Sequence, residues 1–199
     1  MNTPAVRLIV IGGSLGGLDA FCQIVRVLPY DFAGTIAFVL HTPSDGPRLL
    51  PEIIGRFTSL PTSYAVDGQE IRAGHIYCAP PAFHLTVKSP GNFALDDGPK
   101  VNHVRPSANR LFETAAHVYG SDLIGVIVTG GDGDGADGFR AIDASNGLRI
   151  VQAPADARDP GMPLSALERD HPNYCVPLAE IGPLLISLID APSQAPHIK

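Results

Sequence analysis

The stretch Val6-Arg-Leu-Ile-Val-Ile-Gly-Gly-Ser-Leu-Gly-Gly17 joins an apolar, largely β-branched run to a glycine-framed serine. The near-continuous apolarity of Leu8 to Ile11 is that of a strand buried on both faces, the kind from which parallel sheets are built. Gly12, Ser14 and Gly16 then spell G-x-S-x-G. Small flanking residues let such a chain turn sharply from strand to helix and push the serine hydroxyl out at the apex. Leu18, Phe21, Cys22, Val25 and Leu28 continue at helical spacing, which places Ser14 at a helix N-terminus. A phosphate-cradling dinucleotide loop also sets glycines between a first strand and its helix. Its G-x-G-x-x-G fingerprint fails here, because it needs glycine at Ser14 or at Leu15. The motif by itself is short, and a packing turn with an idle serine is the plain alternative.

Thr35 to Leu40 is a second buried-strand run that ends directly in His41-Thr-Pro43. Leu49, Leu50, Ile53, Ile54 and Phe57 recur at helical spacing, so strand and helix alternate and the sheet is expected to be parallel. Asp67-Gly68, Ala73-Gly74, Pro80-Pro81 and Pro90-Gly91 punctuate short β-like pieces, His75 to Ala79 and His84 to Val87, which read together as a hairpin-rich insertion. Ser107 is placed as the N-cap of a helix that buries Leu111, Phe112, Ala115 and Ala116. Leu123 to Val128 is a further strand and runs into Thr129-Gly-Gly-Asp-Gly-Asp-Gly-Ala-Asp-Gly138, after which a helix reaches about Ser145. Leu148 to Gln152, Pro163 to Glu168 and Leu178 to Ile189 supply one more strand and two helical stretches. The expected fold is a three-layer α/β/α sandwich on a doubly wound, mainly parallel sheet with a β-hairpin insertion. Residues 1–190 form one domain in this reading, and 191–199 a disordered tail.

The chain has 199 residues, 45% of them hydrophobic, enough to bury a full core. A net charge of −6, without a cluster of Lys and Arg and without tryptophan, argues against nucleic acid as a partner. No apolar run has the length to span a bilayer and no signal sequence opens the chain, so the expectation is a cytoplasmic protein with no membrane insertion. Cys22, Cys78 and Cys175 are odd in number and far apart, which suits reduced thiols better than a disulfide frame or a zinc site.

Ser14, His41 and Asp134 each follow a buried-strand run, and in a doubly wound parallel sheet the carboxyl ends of the strands share one edge. These are the residue types of a serine hydrolase: a base must take the hydroxyl proton, and a carboxylate must hold the imidazole in the needed tautomer. The order Ser, His, Asp differs from the Ser, Asp, His order of α/β-hydrolases. His84 and His103 are rival bases. Asp132, Asp134 and Asp137 lack the spacing of a calcium loop, which wants an acidic or amide residue where Ala136 stands.

Six short blocks carry a family resemblance: Ile11 to Gly17, His41 to Pro43, Ile76 to Pro80 with His84-Leu85, Leu95 to Asn102 with Arg105 to Ser107, Val128 to Ala136, and Gly161 to Pro163. In this order, over about Val6 to Ile189, the chain resembles the catalytic domain of chemotaxis protein-glutamate methylesterases, the CheB type. The resemblance implies a Ser14-His41-Asp134 triad that hydrolyses glutamate methyl esters on the cytoplasmic helices of chemoreceptors, or on another methylated protein, with deamidation of glutamine as a related activity. It implies no cofactor and no metal. It also places the Gly131 amide at the oxyanion, and Leu15, Asp132 and Met162 close to the substrate.

Against the family's usual S-T-G-G this chain has Ser14-Leu15-Gly16-Gly17, and against T-G-M-G-x-D-G it has Gly131 for methionine and Asp132 for glycine. The receiver domain that usually precedes the catalytic domain is absent, so a stand-alone homologue or a cut piece is expected. Two functional classes therefore stay open, an esterase with an intact triad and a silent domain that binds a protein. If Asp132 points inward, it should raise the pKa of His41.

Overall fold

The computed structural model describes residues 7–43, 48–89 and 91–191. Strand β1 (Leu8–Gly13) is wholly buried and lies in a seven-stranded sheet. Its neighbours are β2 (Thr35–Leu40) on one side and β7 (Leu123–Ile127) on the other, both parallel to it. β4 (Ile76–Cys78) and β3 (Thr62–Tyr64) continue outward from β2, while β8 (Leu148–Gln152) and β9 (Tyr174–Val176) continue from β7, giving the order β3-β4-β2-β1-β7-β8-β9. Every pairing in this sheet is parallel.

Alternate residues of β1 serve opposite layers. Leu8 and Val10 join one core with Leu111, Phe112, Phe139 and Ile142 from α3 (Ala108–Tyr119) and α4 (Ala136–Ala144). Ile9 and Ile11 join the other with Phe21 and Ile24 of α1 (Gly17–Arg26), Ile54 of α2 (Leu50–Ile54) and Leu185 of α6 (Leu178–Asp190). Helix α5 (Gly161–Arg169) belongs to the first layer through Met162 and Ala166. Burying an aliphatic side chain on either face contributes about 1.5–3 kcal/mol, so a strand in mid-sheet gains from apolar residues at every position and shows no alternation.

The three-layer architecture is as expected, with one correction and two additions. Ile76–Cys78 is not part of a hairpin insertion; it pairs in parallel with β2 and belongs to the main sheet. The hairpin itself is β5 (His84–Lys88) with β6 (Asn92–Asp96), a separate antiparallel pair packed under α3 through Leu85, Val87 and Phe93. The additions are β3 and β9, each three residues long at a sheet edge. Of the tail expected over 191–199, all but Ala191 lies outside the described residues.

The strand order reverses at β1. From its carboxyl end β2 lies to one side and β7 to the other, which is the geometry that opens a crevice for a ligand. Ser14 and the Thr129-to-Gly135 loop both emerge there.

Candidate active site

Ser14 leaves the end of β1 on a turn that only glycine permits at two places. A side chain on Gly12 would meet Cβ of Ala108 at 2.6 Å, because the start of α3 crosses directly over the strand; Gly16 has φ +80°, in the left-handed region. The turn is tied to the neighbouring strand end by a hydrogen bond from Ser14 N–H to the Thr129 carbonyl at 3.0 Å. The Thr129 hydroxyl lies 2.9 Å from the Leu15 carbonyl and accepts from Asp159 N–H at 2.8 Å, so it couples the serine turn to the segment before α5. Met162 is fully buried, and its sulfur fills the space that a side chain on Gly130 would need. It packs beneath the Gly130 turn and is closed to solvent. Leu15, by contrast, is 53% exposed beside the serine.

His41 is the first residue beyond β2, and its N–H donates to the Gly13 carbonyl at 3.2 Å, one residue before Ser14. Its side chain is nearly buried and lies between two carboxylates. Nε2 is 2.8 Å from Asp134 Oδ2, and Nδ1 is 2.9 Å from Asp132 Oδ2. The Ser14 hydroxyl makes no hydrogen bond among the described residues, and none joins it to His41. Of the three residues expected to meet, the structure pairs His41 with Asp134 and sets Ser14 on the adjoining strand end.

Asp134 is inaccessible to solvent, which would cost several kcal/mol for an unpaired carboxylate. Here four donors converge on it: the Ser107 hydroxyl at 2.7 Å and Asn109 N–H at 3.2 Å on Oδ1, and Ala108 N–H and His41 on Oδ2. Two of these are free backbone N–H groups at the start of α3, where the helix dipole also favours negative charge. The Ser107 hydroxyl does not cap its own helix as expected, because Asp134 caps it from another segment. The exchange is reciprocal. Asn109 Oδ1 accepts from the N–H groups of Gly135 and Gly138 at 2.9 and 2.8 Å and so caps α4.

This cross-capping ties the two helices that carry the site, and a sequence scan for local caps finds neither half of it. Asn109→Ala is expected to lower stability by about 1–2 kcal/mol, since two buried N–H groups lose their acceptor. The midpoint of denaturant unfolding checks it, and an unchanged midpoint would contradict the capping role.

Asp132 Oδ1 accepts from Asp134 N–H at 3.0 Å, which turns its second oxygen toward the ring. Burial of His41 works against its charge. The hydrogen bonds and negative charges of Asp132 and Asp134 outweigh that effect and push its pKa up from 6.5 to about 9. Burial likewise disfavours the Asp132 carboxylate, yet its hydrogen bond and attraction to His41 hold the group below the usual carboxylate value. At neutral pH the ring is an imidazolium that donates from both nitrogens.

The remaining candidates separate. His84 is buried in β5 with Nε2 3.0 Å from the Pro99 carbonyl, and no hydrogen bond joins it to His41 or Asp134 among the described residues. His103 lines a cleft of about 250 Å³ beside His41 together with Lys100 and Arg105. Asp137 pairs with Arg169 at 3.2 Å and does not join the other two aspartates. Among the described residues no group of three or more His, Cys, Asp or Glu is placed to hold a metal ion. Gly131 is exposed, and its N–H has no acceptor among the described residues.

Residues 9–185 match the model of the CheB methylesterase family. A relative from Leptospira interrogans is 40% identical over 190 residues, which cover 94% of this chain and 96% of that protein. The protein-glutamate methylesterase/protein-glutamine glutaminase of Thermotoga maritima is 34% identical over 194 residues, and there the match spans only 56% of the relative's length. Protein-glutamate methylesterase FrzG of Myxococcus xanthus is 33% identical over 187 residues, again over 56% of its length. The crystal structure of the Thermotoga maritima CheB methylesterase catalytic domain superposes with a TM-score of 0.89 at 33% identity, covering 92% of this chain and 98% of that one.

Proposed function

Because the chain belongs to the CheB methylesterase family, we propose that it is a protein-glutamate methylesterase in which Ser14 is the nucleophile, His41 the base and Asp134 the carboxylate that orients the base. Its substrates in this reading are methyl-esterified glutamates on the cytoplasmic helices of chemoreceptors, and residues 1–190 form the catalytic domain. The observation that carries the reading is the His41–Asp134 pair, anchored on the start of α3 and set one strand away from the serine turn.

In the reaction, Ser14 Oγ attacks the ester carbonyl carbon while His41 takes its proton. The carbonyl oxygen becomes an oxyanion, for which the free Gly131 N–H is the donor. Collapse breaks the bond to the methoxy oxygen, which leaves as methanol with the proton from His41. Water, deprotonated by His41, then attacks the acyl-serine and releases the glutamate carboxylate and the serine hydroxyl. A glutamine amide would take the same course and release ammonia. Asp134 keeps one N–H of the ring directed at itself throughout, which leaves Nδ1 to serve the serine.

Among the described residues no helix is long and apolar enough to cross a membrane. Leu15, exposed beside Ser14, offers an apolar contact to a docked receptor helix.

A second reading, a domain that binds a methylated protein without hydrolysing it, is favoured by the occupation of Nδ1 by Asp132. Methanol release separates the two. Receptor helices carrying methyl-esterified glutamate, incubated with the protein between pH 7 and 10, are expected to lose ester and yield methanol in equal amounts. Binding with no methanol at any pH would establish the second reading.

A further inference from the structure

We propose that Asp132 is a latch on the base: while closed it occupies the His41 nitrogen that the serine reaction needs, and the site works only when Asp132 has let go. The inference rests on the esterase reading above and concerns how that site is held at rest. Nε2 of His41 is committed to Asp134, which is fully buried and fixed by three further donors, so Nδ1 is the one nitrogen left to accept the Ser14 proton. Asp132 Oδ2 stands 2.9 Å from it. The Ser14 hydroxyl has no partner among the described residues, as expected if its natural acceptor is taken.

The two aspartates differ in how firmly they are held. Asp134 is inaccessible, whereas the Asp132 side chain is 33% exposed and has one other hydrogen bond, from Asp134 N–H. Of the two contacts to the ring, the one to Asp132 is therefore the one that opens.

Opening is a matter of proton balance. Closed, the ring is an imidazolium with Nε2–H donating to Asp134 and Nδ1–H donating to Asp132. When the Nδ1 proton passes to solvent, the ring becomes neutral and keeps its remaining proton on Nε2 for Asp134. The Nδ1 lone pair then faces a carboxylate lone pair, an attraction becomes a repulsion, and Asp132 turns outward. Nδ1 is then able to take the proton of Ser14.

The other charged groups around His41 do not produce this behaviour. Lys100 and Arg105 line the adjoining cleft, and Arg105 is tied to the Asp97 and Gly98 carbonyls at 2.5 and 2.6 Å; cationic side chains disfavour an imidazolium rather than hold one. His103 lies in the same cleft and provides a control.

The test is a pair of pH titrations on the full chain. In the first, kcat/KM for a glutamate methyl ester peptide should rise along a limb centred near the His41 pKa of about 9. In Asp132→Gly the limb should move down by about one unit or more, with roughly a tenfold or greater gain at pH 7. Asp132→Asn, which keeps the side chain's shape, should move it in the same direction and guards against a folding defect in the glycine variant. His103→Gln should leave the limb where it is.

The second titration follows the ring nitrogens of His41 by 15N NMR and needs no activity. Both nitrogens should be protonated at pH 7 in the wild type, and Nδ1 should lose its proton at lower pH in either Asp132 variant. Unchanged titration of His41 in both variants would overturn the latch. If no ester is hydrolysed at any pH, the esterase reading fails, and the NMR titration alone still decides whether Asp132 holds the base.

Discussion

Ser14→Ala is expected to lower ester turnover by about 10⁴-fold or more, the scale seen when a serine nucleophile is removed from an otherwise intact site. The fold should be unaffected. The Ser14 side chain makes no hydrogen bond among the described residues, while the bonds that hold the turn use its backbone, N–H to the Thr129 carbonyl and C=O from Gly17 N–H. Alanine keeps both, and it keeps the flanking glycines that the close approach of Ala108 and the left-handed turn require. The loss should therefore fall on kcat with the unfolding midpoint within experimental error of the wild type. Activity retained at a tenth or more of the wild-type rate would mean that a base activates water directly, and His103, which shares the cleft with His41, would be the residue to examine.

Asp134→Asn is expected to be costly in both activity and stability. An amide in place of the carboxylate removes the charge that favours the imidazolium formed during catalysis and holds the ring in the wrong tautomer, with a loss of about 10⁴ in kcat as the scale for such a change. Four donors now converge on two carboxylate oxygens. With one oxygen replaced by NH₂, at least one buried backbone N–H, that of Ala108 or Asn109, faces another donor. Each buried group left unsatisfied costs about 1–3 kcal/mol, so the unfolding midpoint should fall as well. The combination distinguishes Asp134 from Asn109, whose replacement is expected to cost stability alone, and from Ser14, whose replacement is expected to cost activity alone. An Asp134→Asn protein with wild-type stability would mean that the caps at the start of α3 do not depend on the charge.

The central strands are legible in the sequence because burial on both sheet faces writes long apolar runs. Leu8 to Ile11, Thr35 to Leu40 and Leu123 to Val128 announce them, and each run leads into a residue or loop at the crevice. Short edge strands leave no such mark. Thr62–Tyr64 and Tyr174–Val176 have three residues each and are held in extended form by the strand beside them, so no local period identifies them. Ile76–Cys78 is equally short; surrounded by Gly and Pro it reads as a hairpin, and only its register with Ile36 to Phe38 assigns it to the main sheet.

The site is legible by residue type and strand position, but its hydrogen bonds are not. Ser107 has the composition of a cap, yet its hydroxyl serves Asp134, because a charged acceptor from the next loop competes for the same helix end. Asn109 carries no signal, since its partners lie 26 and 29 residues away. The inward turn of Asp132 depends on a two-residue bond to Asp134 N–H. Residue type and spacing bring this carboxylate near His41; the coordinates place it on Nδ1.

In the proposed esterase Ser14, at the β1 end of the crevice, is a nucleophile that His41 activates. A fluorophosphonate, applied at about pH 9.5 where His41 is largely neutral, with peptide mapping by mass spectrometry, tests it most directly. One adduct per chain is expected on the peptide containing Ser14, forming more slowly at pH 7 and faster at pH 7 in Asp132→Gly than in the wild type. An unlabelled Ser14 at alkaline pH in folded protein, or an adduct on another residue with Ser14 untouched, would contradict it.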